Sequence, residues 1–173
     1  AFELLGEREG PVISEYPVHI HTEHGEPIAC SLPPRMDPTL HPAVDEAQAL
    51  RPAYDRALKR SKRSSIGMQI SVEEVPDALD KFAKIASGEP WDSVGFPTER
   101  ALEVMYGTVH DIRTYYEELA CELADTPIGP WATEEWFYDQ TKAGQTILEA
   151  RRAMRNAKVD NSLWFGLATA GRE

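Results

Sequence analysis

Three of the five histidines in this 173-residue chain fall within residues 17–27, PVHIHTEHGEP. On an extended strand alternate side chains share a face, so His19 and His21 point the same way. His24 follows in the turn-forming EHG and can swing toward them. Three imidazoles around an open fourth position form the ligand pattern of a catalytic zinc or iron site. Such a site would activate water or polarise a carbonyl, with Glu23 or Glu26 as general base. Cys30 and His41 are further ligand candidates nearby. The competing reading makes these histidines ordinary half-exposed strand residues.

The run HIHTEHGE carries the His-x-His-then-Glu spacing of a cupin metal strand over eight residues. No glycine precedes His19 at the distance that motif uses, and most of the chain reads as helix, so a jelly roll does not follow. His-x-His also opens amidohydrolase barrels, but those need roughly 250 residues.

A second group, TVHDIRTYYEELACEL, holds His110, Asp111, Tyr115, Tyr116, Glu117 and Glu118. Helical geometry places Glu103, His110 and Glu117 on one side, opposite the apolar stripe that begins at Met105. His110 is therefore expected to face water or a partner. The Glu-x-x-His spacing of a di-iron bundle is absent. Also absent are a phosphate-binding glycine loop, a GxSxG elbow and an HExxH helix.

The elements that would position these groups follow from periodicity. Prolines at 11, 17, 27, 33, 34 and 38 forbid a long helix over residues 1–38. That region is read as an extended proline-rich arm with a hairpin of two short strands, and 39–173 as one domain. Residues 42–61 have a helical pattern, with Pro52 predicted to kink or split the helix near Leu50. SSIGMQISV reads as a strand, and SVEEVPDALDKFAKIASG as a helix stopped by Gly88.

From Pro97 to Ala124, Met105, Val109, Ile112, Tyr116, Leu119 and Leu123 recur at steps of three and four. From Thr133 to Ala157, Trp136, Gln140, Ala143, Ile147, Ala150 and Met154 repeat those steps. This predicts a long antiparallel helical hairpin at the C-terminal end. Trp136, Phe137 and Tyr138 diverge around a helix, so at least one is expected to be exposed or to contact another chain. NSLWFGLATA closes the chain as a strand-like run. The resulting fold class is α+β, a small and mostly antiparallel sheet packed against helices.

Composition limits the functional classes. The net charge of -11 opposes binding to a polyanion, so nucleic acid is not an expected partner. The basic run Arg56, Lys59, Arg60, Lys62 and Arg63 is read as cations complementing the negative end of a helix dipole, with an anion or acidic-partner patch as the alternative. Mean hydropathy is -0.44, and no apolar run approaches the roughly 18 residues of a membrane span. AFELLGEREG lacks the pattern of a signal peptide, which leads to a cytoplasmic expectation. Cys30 and Cys121 belong to no CxxC pair and are expected as free thiols.

Three readings of function follow. The first is a non-catalytic small subunit or accessory interaction protein of a larger assembly, bound to a protein partner or to copies of itself. The extended arm and the aromatic residues near loops support it. The second is a metal-dependent hydrolase or lyase using His19, His21 and His24. An α+β domain with an aromatic-lined small-molecule pocket is a third.

Overall fold

His41 begins the first helix. Its Nδ1 accepts the Ala43 N–H at 3.3 Å, and Pro42 follows at the first helical position, where a missing N–H costs nothing. The computed structural model describes residues 31–124, 128 and 132–169. His19, His21, His24, Glu23, Glu26 and Cys30 lie outside the described residues, as does the expected hairpin. His41, the remaining candidate ligand, serves as a helix cap.

The elements are α1 (Pro42–Ser61), α2 (Val75–Ala86), α3 (Ala101–Leu123), α4 (Ala132–Gln140), α5 (Lys142–Asn156) and the short α6 (Asn161–Phe165). A single 3-10 turn, Val72–Glu74, leads into α2. The α+β expectation is therefore corrected: among the described residues the fold is all helical, with no strand and no sheet. α1 packs against α2, α3 and α5, while α4 bridges α3 and α5.

The two expected strands fail for different reasons. Residues 64–71 form no strand: the chain bends at Met68 and Gln69 after Gly67, at φ +125°, and most of the N–H groups here meet carboxylates instead of a neighbouring strand. Asp111 of α3 accepts from Gly67 and Met68 through Oδ1 and from Gln69 and Ile70 through Oδ2, at 2.7–3.0 Å. Seven residues on, Glu118 accepts the Ser65 N–H at 2.7 Å and the Tyr54 hydroxyl at 2.9 Å. Buried backbone donors must be paired, and two acids on one face of α3 do this without a sheet. NSLWFGLATA starts a helix because the Asp160 carboxylate accepts the Ser162 N–H at 2.9 Å.

Pro52 does not split α1, which continues as one helix to Ser61. Leu50, Ala53, Tyr54 and Ala57 are all buried around it, so packing on both sides of the proline holds the helix together. Lys59 and Arg60 lie in its last turn, as the dipole argument expects, and Arg60 pairs with Glu122.

The long C-terminal hairpin is also corrected. Its second helix breaks at Thr141, whose hydroxyl donates to the Phe137 carbonyl at 2.6 Å and accepts the Gly144 N–H at 3.0 Å. The hydroxyl thereby ends α4 and caps α5. After this corner α4 packs on α3, whereas α5 packs mainly on α2.

Trp136, Phe137 and Tyr138 are all buried within this chain, against the expectation that at least one would be exposed or contact another chain. α4 packs between α3 and α5, and its exposed side is left to Glu135, Asp139 and Gln140. Tyr116 of α3 lies 6.1 Å from Trp136 and 5.3 Å from Phe137, centroid to centroid. On the other flank the Tyr138 hydroxyl donates to the Leu167 carbonyl at 3.3 Å. The stripe on α3 is as expected: Met105, Val109, Ile112, Tyr116 and Leu119 are buried. Gly88, at φ +102°, ends α2 as its sequence predicts.

Candidate functional site

Tyr106, Val109, His110 and Arg113 sit at helical spacing on one side of α3 and look out beneath the C-terminal segment. With Tyr138 of α4 and Phe165, Gly166, Ala168 and Thr169 they enclose a cavity of about 250 Å³. Two hydrogen bonds hold the far wall in place. One is the Tyr138 to Leu167 bond, and the other runs from the Thr169 hydroxyl to Glu134 Oε1 at 2.7 Å. Gly166 lets the Tyr106 ring lie close, since a Cβ there would be 3.4 Å from Tyr106 Cδ2.

His110 does not face open water. Its side chain is 30 % exposed, and Nδ1 is buried without a hydrogen bond. The nearest carboxylate oxygen, Asp111 Oδ1, is 3.8 Å away and already accepts two backbone N–H groups. Arg113 Nε lies 3.1 Å from Glu117 Oε1, but the pair lacks hydrogen-bond alignment. The terminal nitrogens of Arg113 make no hydrogen bond among the described residues. Burial pushes the Glu117 carboxyl up, Arg113 pulls it down, and Glu134 adds repulsion.

Beside this cavity, and sharing Tyr106, is a wider groove of about 730 Å³ bordered by Trp91, Arg100, Leu102 and Leu163. Leu102, Tyr106 and Phe165 are 49 %, 51 % and 57 % exposed. Leu102 and Tyr106 are one helical turn apart, and Tyr106 joins the groove to the cavity lip where Phe165 stands. These three side chains therefore make one apolar face.

The buried acids elsewhere are engaged in structure. Asp45 accepts the N–H groups of Met36 and Asp37, each at 2.9 Å. Glu46, Asp111 and Glu118 likewise receive backbone donors. None of these four is free to act as an acid or base. The cavity combines a cation, an imidazole and aromatic walls. Among the described residues no cluster of histidine, cysteine and carboxylate is arranged to hold a metal ion. Cys121 is a free, exposed thiol.

No protein-family model matches this chain, and comparison with curated proteins and with solved structures finds no match either. Among the described residues no helix is long and apolar enough to cross a membrane.

His110 was legible in the sequence as a side chain off the apolar stripe. Arg113 and Tyr106 were legible only as its helical neighbours. The contribution of Phe165 and Thr169 depends on how the C-terminal segment returns over α3, and no local pattern announces it.

Proposed function

We propose that this protein is a non-catalytic subunit or accessory chain of a larger cytoplasmic assembly, docking a protein partner on the face formed by Leu102, Tyr106 and Phe165. The supporting observation is the grouping of these three exposed apolar side chains, Leu102 and Tyr106 at the groove and Phe165 at the adjoining cavity that Tyr106 also lines. Aromatic side chains are enriched at interface centres, where they bury large area at little cost in rotamer entropy. The rim carries the Arg100–Glu103 ion pair, a polar border to an apolar centre. The engagement of Asp45, Glu46, Asp111 and Glu118 with backbone donors also favours a binding role over catalysis.

Native mass spectrometry and sedimentation of the chain purified from its own cells test this reading. The expected result is a defined complex, with a second polypeptide or with further copies of this chain. Leu102→Glu combined with Phe165→Glu should abolish that complex and leave the unfolding midpoint within a few degrees, since both positions are exposed. A lone monomer in wild type, or a complex indifferent to the double substitution, would overturn it.

A further inference from the structure

The 250 Å³ cavity is a separate feature from the apolar face, although Tyr106 borders both. Its volume corresponds to about eight waters at roughly 30 Å³ each, the size of a small organic molecule. Its basic lining comes from one helix, and Thr169 adds a polar group on the far wall. His110 and Arg113 reach it from α3, while no carboxylate lines it. Glu117 touches Arg113 at Nε, which leaves the outer edge of the guanidinium fork without a partner among the described residues. That edge matches the two oxygens of a carboxylate. His110 has no hydrogen bond among the described residues to hold it back from a ligand. The remaining lining is aromatic and apolar, with Tyr106, Phe165 and Val109 around the opening and Tyr138 at the wall.

From this combination we infer that the cavity binds a small monocarboxylate with a flat or apolar body. Its carboxylate is held by the terminal nitrogens of Arg113, with His110 as a second donor, and its body lies against Tyr106 and Phe165. An Arg fork supplies direction, and a desolvated aromatic wall strengthens it by lowering the local dielectric. A cation of the same shape meets the guanidinium of Arg113, and the neighbouring acids Glu117 and Glu134 are already engaged with Arg113 and Thr169.

Benzoate is the probe, with benzylamine as the cationic match and benzyl alcohol as the neutral one. Binding is followed by backbone amide shifts in the intact, isotope-labelled chain. The expected result is saturable binding of benzoate, with shifts centred on His110, Arg113 and Gly166. Benzylamine and benzyl alcohol should bind at least about tenfold more weakly. Arg113→Gln should weaken benzoate by about tenfold or more, and His110→Gln by a smaller factor. If Arg113→Gln fails to fold, His110→Gln and Arg113→Lys carry the test, because Lys keeps the charge and loses the fork. No saturable binding, equal binding of benzylamine, or benzoate binding unchanged in the folded variants would overturn the inference. Those outcomes leave the protein-docking proposal untouched, because that proposal is read from complex formation and from Leu102 and Phe165.

Discussion

The Tyr116 hydroxyl of α3 donates to Glu46 Oε1 of α1 at 3.0 Å, deep in the core. The same carboxylate accepts the Lys142 N–H at 2.9 Å and the Ala143 N–H at 3.3 Å, at the first turn of α5. One side chain thus ties three helices, and it caps α5 together with Thr141. Glu46→Ala would leave the Tyr116 hydroxyl and two helix-start N–H groups buried without an acceptor. A loss of about 3 kcal/mol is expected, read from urea unfolding. Glu46→Gln keeps an acceptor oxygen and should cost less than half of that.

Acid titration of stability should separate two carboxyls of opposite sign. Burial raises the Asp111 carboxyl, but four backbone N–H donors overcome it and hold it below its ordinary 3.8. Its stabilisation is present above 3.8 and is lost as pH falls through the lower folded value. Burial holds Glu46 above its ordinary 4.5, so its contribution is fully present below 4.5 and is lost as pH rises through the higher folded value. Asp111→Asn should therefore be less stable than wild type at neutral pH, with the gap closing below 3.8. Glu46→Gln should compare best with wild type at neutral pH and worst near pH 4, an order-of-magnitude window set by carboxylate titration. Unfolding midpoints across this range give both signs.

Gly144→Ala should be among the most damaging single substitutions. A Cβ at 144 would lie 2.1 Å from the Phe137 carbonyl oxygen and 2.7 Å from its carbon. Both atoms are backbone at the α4–α5 corner, so neither can rotate away. A loss of about 3 kcal/mol or more is expected from thermal or urea unfolding.

Pro52→Ala should stabilise the protein. A proline inside a helix costs about 3 kcal/mol relative to alanine, through the lost N–H and the ring clash. Its stiffening of the unfolded chain returns up to about 1 kcal/mol. Position 52 is exposed, so no packing is lost. The net expectation is a gain of about 2 kcal/mol, seen as a higher midpoint of thermal unfolding.

The histidine cluster makes an independent prediction. If His19, His21 and His24 are ligands, the chain purified untagged from its own cells carries a metal-sized mass excess in a native spectrum. His19→Ala with His21→Ala should remove it. A bare chain, or a variant that keeps its metal, ends the reading of Glu23 or Glu26 as a general base.

Local patterns in the chain were enough to place α2 and α3, the Gly88 stop and the buried face from Met105 to Leu119. These rest on side chains three and four residues apart, a distance that a single helix decides by itself. Ile66, Met68, Ile70 and Val72 alternate as a strand does, yet the backbone bends at Met68 and Gln69 and enters a 3-10 turn at Val72. Whether such a segment joins a sheet depends on which acceptor meets its N–H groups. That acceptor is Asp111, more than forty residues away in the chain. The break at Thr141 was visible only as a hydroxyl residue inside a helical pattern; the crossing of Gly144 over Phe137 gave it its role.

The sequence by itself determined the charge and the amphipathic helices, because each is a property of composition or short spacing. The tertiary structure alone decided that the described fold has no sheet, that Trp136, Phe137 and Tyr138 are all buried, and that His110 and Arg113 line a cavity under Phe165. Each of those outcomes depends on contacts between distant segments, and chain closure, not local preference, selects them.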